Sequence, residues 1–218
     1  MSALKGILGT TAAVVVAAAL ILPVSANAAN LSFTGTFNRD DDVQLFTFST
    51  SVESTITLRT WSYAGGVNSA GTTIPEGGFD PILTLFDASG AFLAENDDDE
   101  GDCVLVSTSA VTGSCYDTFF QSTIQAGSYT VAVQQYDNFA AGANLSDGFE
   151  RVGATFTSEF GCFNGQFCDV DGYNRSNAWA FDILNVDTAA VVPLPATAWF
   201  LLTGLAGLGW RLRRPGRC

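Results

Sequence analysis

The densest concentration of potential chemistry in this 218-residue chain is the run Asn96-Asp97-Asp98-Asp99-Glu100-Gly101-Asp102. Carboxylates crowded this closely repel one another, which disfavours an ordered loop unless a cation neutralises them. A hard cation such as Ca2+ takes about six to eight oxygens from carboxylates, carbonyls and amides, and this run can supply all three kinds. Asp80 and Asp87 bracket a strand-like segment, and Asp40, Asp41 and Asp42 precede another, so a sandwich could bring them to one end with the run. Asp97, Asp98, Asp99, Asp80 and Asp87 are therefore the candidate ligands, and Ca2+ is the candidate cofactor. An EF-hand is excluded, because Asp97 and Asp99 lack the following glycine and the closing glutamate. The competing reading is a solvated acidic loop that serves only solubility.

Enzyme chemistry has less to build on. The chain contains no histidine, so Ser-His-Asp and Cys-His sites and histidine metal ligands are ruled out. A carboxylate pair for polysaccharide hydrolysis could be drawn from Asp137, Asp147 and Glu150, but nothing in the sequence selects two of them. A non-catalytic protein is expected, with a polysaccharide-acting hydrolase as the alternative. Trp61, Tyr63, Tyr136, Phe139 and Trp179 could form a sugar-stacking surface, which would make the chain a carbohydrate-binding module. Aromatics at strand positions more often belong to a core.

Every acidic residue, from Asp40 to Asp187, lies in the middle of the chain. There 22 acidic residues face only four basic ones, Arg39, Arg59, Arg151 and Arg175, a formal balance of −18. Such a surface repels nucleic acid and excludes it as a partner. Cys103/Cys115 and Cys162/Cys168 form two close pairs, and Cys218 stands apart at the end. In an exported chain, paired cysteines are read first as disulfides. Four cysteines allow three connectivities, of which the two local pairs are expected. Closing the first loop would contribute roughly 3 kcal/mol through chain entropy.

The ends specify where this domain travels. Lys5, an apolar run from Ile7 to Leu22, Pro23, and the small residues Ser25-Ala26-Asn27-Ala28 make a cleavable secretory signal over residues 1–28. A second apolar stretch, residues 194–210, is long enough at about 1.5 Å per residue to cross a bilayer core as a short helix. Arg211, Arg213, Arg214 and Arg217 follow it and favour the cytoplasmic side, which places the preceding domain outside. The membrane is thus one expected partner.

Between these ends, residues 29–190 alternate as strands do. The alternating or apolar segments are 31–37, 43–48, 54–61, 82–86, 91–94, 119–124, 129–136 and 178–186, separated by Gly-, Asp- and Asn-rich turns. No segment of this region has a sustained helical period. The expected class is all-β, a jelly-roll-like β-sandwich flanked by the signal peptide and the C-terminal transmembrane helix. Two connections are long, residues 64–78 and 138–177, and the Cys162/Cys168 pair restrains the second.

Two resemblances add to this reading. Val192-Pro193-Leu194-Pro195-Ala196, followed by the apolar stretch and the arginines, resembles the PEP-CTERM sorting signal in its V-P-L-P-A form, over about the last 27 residues. The resemblance implies export, processing of the 191–218 tail by an exosortase-type membrane protease, and delivery to the cell surface or an extracellular polymer matrix. The second concerns the domain. Asp40-Asp41-Asp42-Val43-Gln44-Leu45-Phe46, Asp80-Pro81-Ile82-Leu83-Thr84-Leu85-Phe86-Asp87 with Gly90, Asn96-Asp97-Asp98, and Ala126-Gly127-Ser128-Tyr129-Thr130-Val131 resemble the bacterial pre-peptidase C-terminal type of β-sandwich. Thr60-Trp61-Ser62-Tyr63-Ala64-Gly65-Gly66 and Gln135-Tyr136-Asp137-Asn138-Phe139 look like exported domains that precede PEP-CTERM tails. These likenesses imply a sandwich fold and a non-catalytic accessory role, with matrix polysaccharide as a candidate partner.

Overall fold

Period-two alternation is what the chain turns into structure. The computed structural model describes residues 28–98, 103–151, 153, 155–162 and 167–193. Its strands are β1 (Ala29–Thr36), β2 (Gln44–Thr50), β3 (Ser54–Thr60), β4 (Gly66–Val67), β5 (Thr73–Ile74), β6 (Pro81–Asp87), β7 (Phe92–Asp97), β8 (Phe119–Ile124), β9 (Gly127–Gln135), β10 (Ala178–Val186) and β11 (Thr188–Val191). One sheet runs β1-β10-β3-β8 and a second runs β11-β2-β9-β6-β7, with every pairing antiparallel. The small β4–β5 hairpin stands outside both.

The sheets form a sandwich because each contributes one apolar face. Ile56 and Leu58 of β3 and Phe181 and Ile183 of β10 meet Phe46 and Phe48 of β2, Leu83 and Leu85 of β6, and Val131 and Val133 of β9. Phe46 bridges the layers, with its ring centroid 5.7 Å from that of Trp179 and 5.2 Å from that of Phe181. Each such side chain contributes roughly 1.5–3 kcal/mol on burial. β6 is buried on both faces, and on its outer side Glu95 Oε2 accepts from Thr84 Oγ1 at 2.7 Å and from Ala140 N at 2.9 Å, which brings the start of the 138–177 connection against that side. That cover explains its continuous apolar pattern, Ile82-Leu83 and Leu85-Phe86 around buried Thr84.

The eight alternating segments of the sequence all become strands. β7 continues to Asp97, three residues beyond the alternation at 91–94, because pairing with β6 persists to Ile82↔Asp97. The β4–β5 hairpin within the 64–78 connection and β11 were not legible, being short and without alternation. Among the described residues there is no α-helix, only the 3-10 turns Leu145–Asp147 and Thr157–Phe160. None of the described helices is long and apolar enough to cross a membrane. The signal segment apart from Ala28, the 194–210 stretch with the rest of the sorting motif from Leu194, and the arginine-rich end lie outside the described residues. Val192 is the last residue seen on the sandwich, its N–H donating to Leu45 O at 2.9 Å.

Both local cysteine pairs are bonded, Cys103 to Cys115 and Cys162 to Cys168, with Cα atoms 5.5 and 5.9 Å apart. Buried acids do the rest of the work of ordering the long connections. Asp182 Oδ2 accepts from Trp61 Nε1 at 2.9 Å and Ser69 N at 2.8 Å, which fastens residues 64–78 to the outer face of the first sheet. Gly66, at φ +139°, passes so close to Trp61 that a Cβ would sit 2.7 Å from the indole. Asp117 accepts from Thr60 Oγ1, Tyr63 N and Ala64 N at 2.9, 3.0 and 2.8 Å. In the 138–177 connection, Asp40 Oδ2 accepts from Phe156 N, Thr157 N and Thr157 Oγ1 at 2.9, 2.9 and 2.8 Å. Asp41 Oδ2 accepts from Gly153 N at 2.6 Å, and Asp169 Oδ2 from the Tyr63 hydroxyl at 2.6 Å. Much of the chain's acidity is thus spent on backbone N–H groups that no strand partner satisfies.

Candidate metal centre

Three carboxylates are different. Asp80 stands immediately before β6, Asp97 ends β7 and Asp98 follows it. The Ile82↔Asp97 register brings these strand ends to the same rim, and Asp80 shares the sheet face of Ile82, two residues on. The Tyr136 N–H holds Asp80 O at 2.9 Å, which continues the β6–β9 ladder past Pro81. Asp98 adopts φ +62°, a left-handed conformation that Asp tolerates better than most residues, and the chain turns there. Asn96 lies at this turn with one terminal atom of its amide 3.2 Å from both Asp98 O and Phe119 O, a position that suits the amide nitrogen as donor to the two carbonyls.

The outcome is a cluster in which one carboxylate oxygen from each of Asp80, Asp97 and Asp98 lies within 4.8 Å of the other two. Oxygens sharing one calcium at bond lengths of about 2.4 Å can be at most about 4.8 Å apart, so the spacing admits a single ion. Asp80 is 2% exposed, and Asp97 and Asp98 are half-buried. The Oδ1 atoms of all three are buried without a hydrogen-bond partner. Buried carboxylates without donors are costly, and a cation would remove that cost.

The electrostatics follow from this geometry. Burial, then the charges of Asp98 and Asp97, drive the Asp80 carboxyl well above the ordinary carboxylate range. Burial and neighbouring Asp98 raise Asp97 to about 7, and burial and Asp117 raise Asp98 to about 6. The unfolded chain releases these protons near pH 4. Without a cation the folded state therefore binds more protons than the unfolded state between about pH 4 and 7. Stability of the cation-free protein should fall as pH rises through that window. A cation would compete with these protons. Calorimetric titration at pH 6.5 in buffers of differing ionisation enthalpy should register proton release on calcium binding, and the share released by Asp97 and Asp98 should shrink as the pH is raised toward 8.5. Buffer-independent heats at pH 6.5 would count against these carboxylates as ligands.

The five expected ligands divide. Asp80, Asp97 and Asp98 come together, and Asp99 lies outside the described residues. Asp87 does not join them. It sits at the far end of β6, roughly 23 Å away at about 3.3 Å per residue. There it orders the β6–β7 turn, accepting from Ser89 N at 2.8 Å and Ala91 N at 2.9 Å. Asp40 and Asp41 are occupied by the 138–177 connection, and Asp42 Oδ2 accepts from Asn38 N at 2.7 Å and Arg39 N at 3.0 Å. Of the carboxylates considered for hydrolysis, Asp137 is held by Arg151 through two contacts of 2.9 Å, and Asp147 accepts from Asn144 N at 2.9 Å. Sequence reasoning missed the anchoring roles of Asp117, Asp169 and Asp182. Asp182 alone left a trace, as a charge amid the apolar alternation of β10.

No family model matches this chain, and no curated protein is significantly similar to it.

Proposed function

We propose that this is an exported, non-catalytic β-sandwich protein of the cell surface or extracellular polymer matrix, stabilised by calcium at Asp80, Asp97 and Asp98. The observations that carry the calcium part are that one oxygen from each of the three carboxylates lies within 4.8 Å of the other two, and that each carboxylate has a buried Oδ1 without a donor. Export and sorting rest on the signal-like segment 1–28 and on the tail 191–218, with its resemblance to a PEP-CTERM signal and the exosortase-type processing this implies. Both disulfides are in keeping with an oxidising destination. The strand order also supports the finer jelly-roll reading, for each sheet interleaves early and late strands of an antiparallel chain, as paired Greek keys do.

Processing is tested by intact-mass analysis and by localising the tagged protein with and without residues 191–218. The surface-associated form should begin near Ala29 and lack the arginine-rich end, and tail deletion should abolish surface association. Recovery of an unprocessed Met1–Cys218 chain from the surface would refute this route.

A further inference from the structure

Of the five aromatics that could have formed a sugar-stacking surface, the fold removes three. Tyr63 is 0% and Trp179 7% exposed. Trp61 is covered by the Arg59 guanidinium, 3.7 Å from its ring centroid, and its indole N–H is given to Asp182. Tyr136 and Phe139 remain half-buried with centroids 5.8 Å apart, and half-buried Phe160 lies 5.9 Å from Tyr136. Tyr136 stands opposite Asp80 across the β6–β9 ladder, so the two side chains leave the same sheet face. Tyr136 therefore borders the carboxylate cluster, with Phe139 and Phe160 packed on it.

We propose that the ion held by Asp80, Asp97 and Asp98 also binds a neutral polysaccharide through vicinal hydroxyls, with the Tyr136 ring against an apolar face of the same sugar and Phe139, its ring at 83° to that of Tyr136, meeting the sugar at its margin. This rests on the cation reading above and extends it to a ligand. Three carboxylates donating one oxygen each leave about three to five of calcium's positions for other oxygens. Charge decides which kind. Three ionised carboxylates already outweigh a divalent ion, and the surrounding balance of −18 repels a polyanion. Neutral hydroxyl pairs add ligands without adding charge, and a sugar's C–H face beside a half-buried ring removes apolar surface from water.

Affinity electrophoresis of the full chain in gels containing mannan, rich in vicinal hydroxyls, or alginate, a polyuronate, tests this in calcium and in EGTA. Mannan should retard the protein only in calcium, and alginate should retard it less. Tyr136→Ala should weaken mannan binding about three- to tenfold, as loss of one aromatic contact does, while calcium affinity by calorimetry stays within about twofold. Phe139→Leu provides the same test should Tyr136→Ala prove unfolded by circular dichroism. Calcium binding with no mannan retardation would overturn the proposal and leave the cation reading intact. Retardation that persists in EGTA, or stronger retardation by alginate, would overturn it as well. Absence of calcium binding would remove both.

Discussion

Calcium at a hundredfold its Kd should raise the melting temperature of this protein by about 5–10 °C. An ion that binds only the native state adds RT ln(1 + [L]/Kd), about 2.7 kcal/mol at that excess. In a domain of this size each kcal/mol is worth about 2–4 °C. Sodium chloride at matched ionic strength should do much less, because screening weakens repulsion without filling a coordination shell. The decisive variant is Asp80→Asn. In EGTA it should melt higher than the parent protein by a few degrees, since it removes a buried carboxylate whose Oδ1 has no partner and whose neighbours are Asp97 and Asp98. In calcium it should melt lower, having lost a ligand. Such a reversal of sign belongs to an ion site and not to a packing position. If calcium and matched sodium chloride act alike on the parent protein, the cluster is a solvated acidic rim and the calcium reading falls.

The opposite behaviour is expected of Asp117. Its carboxylate is 1% exposed and serves Thr60 Oγ1, Tyr63 N and Ala64 N, where β3 runs into the 64–78 connection. Burial raises its pKa while these donors lower it, which marks a charge the fold keeps at some cost because it satisfies the backbone. Asp117→Ala would strand several buried donors at about 1–3 kcal/mol each. A total of about 3–5 kcal/mol is expected, and the melting temperature should drop by roughly 6–20 °C. The loss should appear in both buffers and be somewhat larger in calcium, because in EGTA removal of the Asp117 charge also relieves repulsion on Asp98. Thermal melts of the two variants in both buffers form a compact test. A mild effect at Asp117, or one that calcium abolishes, would mean that the division between anchoring and ion-binding acids is misdrawn.

That division could not have been read from residue types. The eight alternating segments are legible because side-chain direction in a strand has period two, a local property of the sequence. The cysteine pairs are legible for a similar reason, being close enough in sequence to close small loops. The acid run at 96–102 announced a candidate site, and Asp80 could be suspected from its place before an apolar strand. Asp87 looks equivalent to Asp80, since both flank the same strand. Only the length of β6 sends one to the rim with Asp97 and the other to the far turn.

By itself, then, the sequence determined the all-β class, the local disulfides, the acidity of the central domain and the location of the candidate ligand run. Each follows from composition or from spacing over a few residues. The tertiary structure decided which carboxylates meet donors and which meet one another. It also decided which aromatics are core, and how the left-handed Asp98 turns the end of β7 beside Asp80. The physical reason is that a carboxylate's role is set by what surrounds it within a few ångströms. In a sandwich those neighbours come from strands dozens of residues away, through a register that no local pattern encodes.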